Sequence, residues 1–468
     1  DTYWSYWTDN SCTEIGTTVM STKDVAIYDD EGTFIYDLTG PGYSGGSGQW
    51  NFFGSGIKGL NGEMLLTSNA GRTETGRDIV MANPRAKLFV DDNGSDAYPG
   101  TVNAPFATIG KGISEALSGT TLAIESGTYN ETINGDNKNN LSIIGNTTNE
   151  PVINGSTHFS PCNDLTLKNL ILKNTVSTPI AYIGGINLTM DNVTVDGEDI
   201  TGHHGISGGH INGDVTITNC SFLNIKNWVA FDTRSGSGGP TTGALLEDVI
   251  FTGNLIDDCQ GHINFRGTIG FETDNVTITG NTVQNTGSST NSFGAAIKVL
   301  YATNCIFSGN TIKDVGTSGY NPAGEAPYGA GFMPRNVASL TVTGNTFENN
   351  NQAIAIEPRN SVQGGYPDGV LPAGTIANNI FNNNTYGIYI PATLHPNSNP
   401  AGLLLENHNK FNNSGEALHF GYGSGMINAE ENYWGTEVPD EVELEISGNA
   451  DYDPWCNADL SVCGFTET

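Results

Sequence analysis

A short motif repeats along the second half of the chain, and it restricts the fold more than any other feature. Residues 276–283 read VTITGNTV, residues 305–312 read CIFSGNTI and residues 340–347 read LTVTGNTF. Regular repetition of this kind is the signature of a solenoid or a related repeat architecture. The Asn of the motif recurs at spacings of 27, 29, 35, 34 and 30 residues, at Asn254, Asn281, Asn310, Asn345, Asn379 and Asn409.

Each copy alternates apolar and polar residues with a period of two, which is the pattern of a β-strand with one buried side. One copy buries little apolar surface, so the copies must stack. Strands stacked at about 4.8 Å would let Asn side chains at one turn form hydrogen bonds from copy to copy. Earlier copies carry the Asn one position earlier, at Asn169 and Asn192. We therefore predict an all-β parallel β-helix. An antiparallel β-sandwich is disfavoured, because it does not require Asn at one fixed turn.

Two terminal segments extend this prediction. The segment DDNGSD at residues 91–96, followed by PFATI at residues 105–109, resembles the start of the right-handed parallel β-helix, pectate-lyase-like superfamily. ENYWG at residues 431–435 is similar to its closing segment. The resemblance covers residues 86–468 and implies a capping helix over residues 106–117, a first turn of the coil near residues 119–129 and a C-terminal cap. Enzymes, adhesins and surface proteins share this fold, so the resemblance does not define an activity.

Residues 1–85 lie outside the resemblance and are predicted to form a small N-terminal β module. Residues 25–36 read VAIYDDEGTFIY, with a turn signal between two apolar runs, and this is typical of a β-hairpin. The module is expected to cap the coil, to bind sugar or to contact a neighbouring chain, which would give self-association.

The charge balance restricts the class of partner. The chain has 18 Lys and Arg against 50 Asp and Glu, for a net charge of -32. Such a surface repels nucleic acids and anionic membranes. The sequence contains no apolar run of about 18 residues, so no membrane-spanning helix is predicted. The chain opens with Asp1 and no signal peptide, so we interpret it as a processed, secreted or cell-surface protein. Of its seven cysteines, Cys456 and Cys463 are close enough to form a disulfide, and the odd number leaves at least one cysteine unpaired or paired between chains.

Basic residues form a stripe on this acidic chain. When the repeats are aligned on Phe231, Phe265, Ile297, Phe332 and Ile356 as inward residues, the next residues point outward. These outward residues are Asp232, Arg266, Lys298, Met333 and Glu357, with Arg234, Arg335 and Arg359 two positions further along some strands. A slip of one residue would bury the charges, which is too costly for so many basic groups.

This stripe predicts a site for an acidic polysaccharide, cleaved by β-elimination. A cation must neutralise the uronate carboxylate, and a base must remove the adjacent proton; neighbouring positive charge makes a lysine a better base. Lys298 is the expected base and Arg266 the carboxylate partner or acid. Substrate-binding roles are expected for Arg234, Arg335, Arg359, Asp232, Glu357, His262 and Asn264.

Two alternatives remain at this point. Glycoside hydrolysis by Asp232 and Glu357 fails, because four strand spacings separate them by roughly 19 Å and hydrolases need about 5 to 9.5 Å. A structural or adhesive β-helix protein without enzymatic activity stays open; in it the arginines would pair with acidic residues of a loop or a neighbouring subunit. The sequence alone does not decide whether the chain is an enzyme.

Calcium is the candidate cofactor. Residues 91–96 are rich in oxygen ligands and contain a turn glycine, as calcium loops do, and Asp257 with Asp258 is a second candidate. Asp232 and Glu357 could also take a calcium ion together with the substrate. His203, His204 and His210 cluster in a glycine-rich segment, where we expect solvated side chains.

Overall fold

In the computed structural model of the protein, the structure describes residues 87–175, 179–227, 229–233, 246–267, 271–287, 295–316, 329–356, 371–390, 402–412, 415–421 and 425–466. It also describes four short strands of the N-terminal segment. These strands are β1 (Ala26–Tyr28), β2 (Phe34–Asp37), β3 (Ile57–Lys58) and β4 (Met64–Leu65). β1 pairs antiparallel with β2, which confirms the predicted hairpin, and β3 pairs antiparallel with β4.

From residue 87 onward the described chain is built almost entirely of strands. The first elements are β5 (Lys87–Val90), α1 (Ile109–Glu115), β6 (Thr121–Ile124), β7 (Thr128–Tyr129), β8 (Ile133–Asn134), β9 (Asn139–Gly145), β10 (Val152–Asn154), β11 (Thr157–Phe159), β12 (Asn163–Lys173), β13 (Ala181–Asp196), β14 (Ile206–Thr218), β15 (Ser221–Leu223), β16 (Val229–Asp232), β17 (Leu246–Thr252), β18 (Leu255–Asp257), β19 (His262–Arg266) and β20 (Thr273–Thr279).

The second half continues in the same way and ends in a short helix and a hairpin. Its elements are β21 (Thr282–Gln284), β22 (Ala295–Ser308), β23 (Thr311–Lys313), β24 (Ala330–Thr343), β25 (Thr346–Glu348), β26 (Gln352–Ala355), β27 (Ala373–Ala377), β28 (Ile380–Asn382), β29 (Tyr386–Ile390), β30 (Leu403–Leu404), β31 (Lys410–Asn412), β32 (Glu416–Phe420), β33 (Ile427–Asn428), α2 (Pro439–Val442), a 3-10 helix (Glu443–Glu445), β34 (Ile446–Ser447), β35 (Ala450–Asp451), β36 (Trp455–Cys456) and β37 (Cys463–Phe465).

The strands from β5 to β35 pair in parallel and form three faces of a coil. Face A contains β8, β11, β16, β19, β26, β29, β32 and β34, together with the first parts of β13, β14, β22 and β24. Face B follows it along the chain and runs from β5 and β6 to β35. Face C follows face B and runs from β7 to β31. This arrangement confirms the predicted parallel β-helix; β5 precedes the expected first turn as an additional parallel strand.

A ladder of asparagines joins the turns between faces B and C. The side-chain Nδ2 of each Asn donates to Oδ1 of the next, over 2.9, 2.9, 2.9, 2.8, 2.9 and 3.0 Å, from Asn254 through Asn281, Asn310, Asn345, Asn379 and Asn409 to Asn432. The predicted ladder is therefore confirmed and extends one turn further. A second pair, Asn350 and Asn384, repeats the geometry at 2.9 Å between faces C and A.

The residue before the ladder position has a left-handed backbone in turn after turn. Asn169, Asn192 and Asn219 have φ of 54°, 53° and 54°, and Gly280 and Gly309 at the equivalent place both have φ of 64°. Asn and Gly are the residues that adopt this conformation at least cost. The shift of the Asn by one position in the early copies thus reflects a change of role, from the ladder to the left-handed corner.

The interior of the coil is apolar, with large side chains stacked from turn to turn. On face C the rings of Phe347, Phe381, Phe411 and Trp434 stack with centroids 5.1, 4.5 and 4.8 Å apart and planes within 7° of parallel. Trp434 is fully buried and belongs to the segment whose sequence resembles a closing segment. The repeat therefore supplies both a polar ladder and an aromatic stack along the same axis.

Both ends of the coil are covered. Helix α1 is shorter than the predicted 106–117, because Thr108 has an extended backbone and acts as the N-cap, its side chain accepting from Lys111 N. Ile109 and Ile113 of the helix are buried in the core of the coil. At the other end Cys456 and Cys463 form the predicted disulfide within the β36–β37 hairpin. Among the described residues, no helix has the length and apolar character that a membrane span requires.

Candidate functional site

A single column of outward side chains runs along face A, and we call it the outer column. Its inward neighbours Phe231, Ile263, Ile297, Phe332 and Ile354 are fully buried, so the alternating residues face the outer side of the sheet. The pairing of the strands gives the members of the outer column in order: Asn134, His158, Tyr182, Ser207, Asp232, Asn264, Lys298, Met333, Ala355, Tyr389, His419 and Ser447.

This register corrects the alignment of the basic stripe. Lys298 pairs with Asn264, whereas Arg266 pairs with Leu300, so Arg266 lies one strand and two residues away from the predicted base. Both Ile263 and Phe265 point inward, and a slip of two residues keeps every side chain on its own face, so alternation cannot detect it. The pairing of β16 with β19 shifts register between Val229 and Phe231. Because of this shift, the pairing of the strands differs from the alignment of the sequence repeats.

Four polar residues of β16, β19 and β22 are buried together on the outer side of face A. The exposed fractions are 7% for Asp232, 8% for His262, 4% for Asn264 and 5% for Lys298. Lys and Asp are seldom fully buried unless they are paired. The structure thus brings together four of the nine residues predicted to form the site.

His262 links the other charged members of this cluster. Lys298 Nζ lies 3.5 Å from His262 Nδ1, and His262 Nε2 lies 3.9 Å from Asp232 Oδ2. Burial and the charge of Lys298 lower the pKa of His262 to about 4, although Asp232 acts in the opposite direction. His262 is therefore neutral at pH 7. With Lys298 donating to Nδ1, its proton is on Nε2, the atom that faces Asp232.

Asn264 places an amide directly beside Lys298 in the outer column. Its Oδ1 atom is buried and accepts no hydrogen bond from the part of the chain that the structure describes. A buried acceptor without a donor requires a reason, and at a polar cluster a ligand donor is one. Within the cluster, this acceptor is open to a donor from water or from a ligand.

Two predicted arginines flank the cluster. Arg266 and Arg335 both pair with Leu300, one on each side, so they lie two strands apart and one outward position beyond Lys298. The backbone N–H of Arg266 donates to Thr233 Oγ1 at 3.1 Å, which fixes the end of β19. Arg234, Arg359 and Glu357 lie outside the described residues.

The histidine pair before β14 differs from the prediction. His203 is buried, and His204 Nε2 lies 3.1 Å from Asn227 Nδ2, so neither is a solvated loop side chain. Burial and the nearby His203 lower the pKa of His204, and the charge of His204 in turn contributes to lowering the pKa of His262. His210 is exposed, as expected. The sequence contained a signal for this burial that the interpretation did not use: the pair lies just before a strand of face A.

Two known family models match parts of the chain. Residues 205–434 match the family model described as "Right handed beta helix region". The described coil therefore has, over these residues, the fold that this model represents. Residues 92–150 of this β-helix also match a model described as "Protein of unknown function (DUF1565)". No curated protein sequence matches the chain.

Solved structures resemble this β-helix at low identity. A rhamnogalacturonan lyase is 15% identical, with 79% of this chain and 87% of that chain covered and a TM-score of 0.30. The GH136 lacto-N-biosidase from Eubacterium ramulus is 14% identical, with coverages of 74% and 67% and a TM-score of 0.44. Pectate lyase Pel9A is 12% identical, with coverages of 79% and 78% and a TM-score of 0.32. Similarity at this level carries no argument about activity.

The candidate calcium loop has its oxygens engaged within the chain. Asp96 Oδ1 accepts from the backbone N–H groups of Ala107 and Thr108, both at 3.0 Å, and so holds the entry to the capping helix. Asp91 and Asp92 both accept from Asn93. At the second candidate site, Asp258 forms an ion pair with Lys226 at 2.5 Å. Calcium binding by the β-helix stays a prediction.

One group of metal-ligating atoms does converge among the described residues. Atoms of His408, Cys456 and Cys463 lie within 4.8 Å of one another. The two sulfurs are joined in the disulfide of the C-terminal cap, so the thiolates that a zinc site needs are absent while that bond is intact.

Proposed function

We propose that the β-helix binds an acidic polysaccharide on face A and cleaves it by β-elimination. The observation that carries the proposal is the burial of Lys298 on the outer side of the coil, beside an Asn264 Oδ1 to which no described residue donates. In a chain with a net charge of -32, a lysine on the outer side of the sheet offers a local positive site for an anionic sugar.

The proposed reaction assigns one step to each group. Arg266, with Arg335 two strands away, attracts the uronate carboxylate, which makes the proton on the adjacent carbon more acidic. Lys298 Nζ takes that proton as the general base, after its ammonium has released a proton to solvent. The C–H electron pair forms the new carbon–carbon double bond as the glycosidic carbon–oxygen bond breaks. The leaving oxygen then takes a proton from the Lys298 ammonium.

Positioning of the base is assigned to His262. Its neutral ring accepts from Lys298 on one side and faces Asp232 on the other, so it holds Nζ in place without adding a second positive charge. Asn264 Oδ1 accepts a hydroxyl of the sugar ring. Arg234, Arg359 and Glu357 stay predicted contributors to substrate binding.

The compartment and partners belong to the same proposal. A disulfide favours an oxidising compartment, so the chain is proposed to act outside the cell, where polysaccharides of this class occur. Calcium that bridges carboxylates of protein and substrate is a proposed cofactor, and self-association through residues 1–85 stays a prediction.

The test is ultraviolet absorbance of unsaturated uronate during incubation with a panel of acidic polysaccharides, with calcium or with a chelator. We expect turnover on one polymer, and a loss of roughly 10²-fold or more in Lys298→Ala and Arg266→Ala. Lys313→Ala, on β23 of face C, is the matched control and should retain the wild-type rate. The absence of unsaturated product from every polymer would overturn the elimination and favour a structural or adhesive β-helix.

A further inference from the structure

Two ring stacks stand at opposite ends of the outer column. Tyr182 stacks on His158 with ring centroids 4.9 Å apart and planes at 12°, and Tyr389 stacks on His419 at 4.6 Å and 11°. In both stacks the tyrosine lies nearer to Lys298 and the histidine lies further away. The order of the two rings is therefore reversed on the two sides of the buried polar cluster.

A carboxylate contacts each histidine, from just after the preceding face A strand for His158 and from the same strand for His419. His158 Nδ1 lies 2.6 Å from Asp136 Oδ1, and His419 Nδ1 lies 2.8 Å from Glu416 Oε2. The side chains of His158 and His419 are 41% and 30% exposed, so both stacks reach the surface. Ser447 Oγ lies 2.9 Å from the same Nδ1 of His419 that faces Glu416. In a nucleophilic triad the two ring nitrogens of the histidine contact different partners. Here Ser447 and Glu416 both contact Nδ1, so the cluster does not have the geometry of a triad, and we assign it to binding.

On the side that faces Lys298, the neighbour of each tyrosine in the outer column is small. This neighbour is Ser207 for Tyr182 and Ala355 for Tyr389. Gly209 also gives room to Tyr182, because a Cβ at that glycine would lie 2.7 Å from the ring. Small neighbours leave space beside the ring face that is turned toward the cluster. Seven strand spacings separate the two tyrosines, about 34 Å.

We propose that Tyr182 and Tyr389 form the end subsites of a polysaccharide groove along face A, and that both bind neutral sugar rings. The inference rests on the proposed function, which places a uronate at Lys298. The apolar face of a pyranose packs on an aromatic ring, while Asp136 and Glu416 accept hydroxyl hydrogens and repel a carboxylate. The centre attracts a uronate and the ends reject one. The substrate class is therefore a polymer that contains both neutral and carboxylated sugars.

The experiment measures affinity by titration calorimetry in a Lys298→Ala background, so that the probe is not consumed. The probes are an oligosaccharide of alternating rhamnose and galacturonate and an oligogalacturonate of equal length. We expect tighter binding of the alternating probe, and a roughly threefold to tenfold weaker Kd in Tyr182→Ala and in Tyr389→Ala. Tyr182→Phe and Tyr389→Phe should bind as the parent does, because they keep the ring. Tyr98→Ala, an exposed tyrosine outside face A, is the matched control.

Equal affinity for the two probes, or unchanged Kd in both alanine variants, would overturn the end subsites, and so would the absence of binding to either probe. Thermal unfolding of each variant separates lost binding from lost folding. The outcome of the elimination assay is independent of these binding measurements. Weaker binding by the tyrosine variants without any unsaturated product would retain the subsites and reject the reaction. Unsaturated product with no effect of the tyrosines would do the reverse.

Discussion

Nζ of Lys298 lies 3.5 Å from Nδ1 of His262, within a cluster that is almost fully buried. Burial and this neighbouring charge lower the pKa of His262 to about 4. In the unfolded chain a histidine titrates near 6.5, so between these values only the unfolded state binds the proton. We predict that this residue lowers stability as the pH falls from about 6.5 to about 4, by up to roughly 3 kcal/mol, and has no further effect above that window.

The measurement is the free energy of unfolding in denaturant at several pH values, for wild type and His262→Gln. Glutamine does not titrate, so the difference between the two proteins isolates the histidine. The difference should change across the window and be constant above pH 7. Parallel curves over the whole range would show that His262 is accessible to protons in the folded state.

The asparagine ladder predicts a large stability effect at its centre. Asn310 Nδ2 donates to Ile278 O and Asn345 Oδ1, and its Oδ1 accepts from the backbone and side chain of Asn281. Asn310→Ala leaves these buried groups without partners and should cost roughly 2 to 5 kcal/mol. Asn310→Asp keeps the acceptor and loses the donor, and adds a buried charge, so it should cost more.

Chemical unfolding midpoints measure both changes. Asn304→Ala is the matched control, because Asn304 lies on the same strand β22 and donates one long hydrogen bond of 3.4 Å at the surface. That variant should stay within about 0.5 kcal/mol of wild type. If Asn310→Ala behaves like Asn304→Ala, the ladder contributes nothing beyond its packing.

The left-handed corners predict an order of tolerated substitutions. Gly280 has φ of +64°, and a Cβ at this glycine would have no atom within 4 Å, so backbone strain alone sets the cost. We expect Gly280→Ala to lose about 1 kcal/mol, Gly280→Val to lose more, and Gly280→Asn to lose least. Unfolding midpoints of the three variants check the order. A Gly280→Asn variant as unstable as Gly280→Val would contradict it, since Asn169, Asn192 and Asn219 occupy the equivalent corner.

The buried thiols are predicted to be unreactive in the native protein. Burial is the main cause that raises the pKa of Cys162 to about 11 and those of Cys220 and Cys259 to about 12, and it also raises the pKa of Cys305. The thiolate is the reactive form, so alkylation at pH 8 should be minimal at these four residues before unfolding and complete after it. Peptide mass spectrometry after iodoacetamide treatment measures the labelling, with the guanidinium-unfolded protein as control. Rapid native labelling at Cys259 would show that the coil opens there.

The fold was predictable because its determinants are local and repeated. The Asn spacing, the alternation and the corner residues each recur within one turn of the coil, so Asn254 and Asn281 carry the information for their own contact. The register of face A depends instead on the irregularity at Val229 and Phe231, and a slip of two residues changes no inside–outside pattern. The ring stacks were missed for a similar reason: Tyr182 and His158 lie 24 residues apart and share no motif. Extending the alignment to every turn would have placed them in one column.

Each end of the asparagine ladder is closed by a group that does not continue it. At one end Asn254 Oδ1 receives the backbone N–H of Cys220, and at the other Asn432 donates to the carbonyls of Leu405, Ala429 and Glu430. Every amide in the series points the same way, so the row has a head and a tail. The row thus has a defined first and last member within a longer coil, because the parallel strands before β17 continue without it.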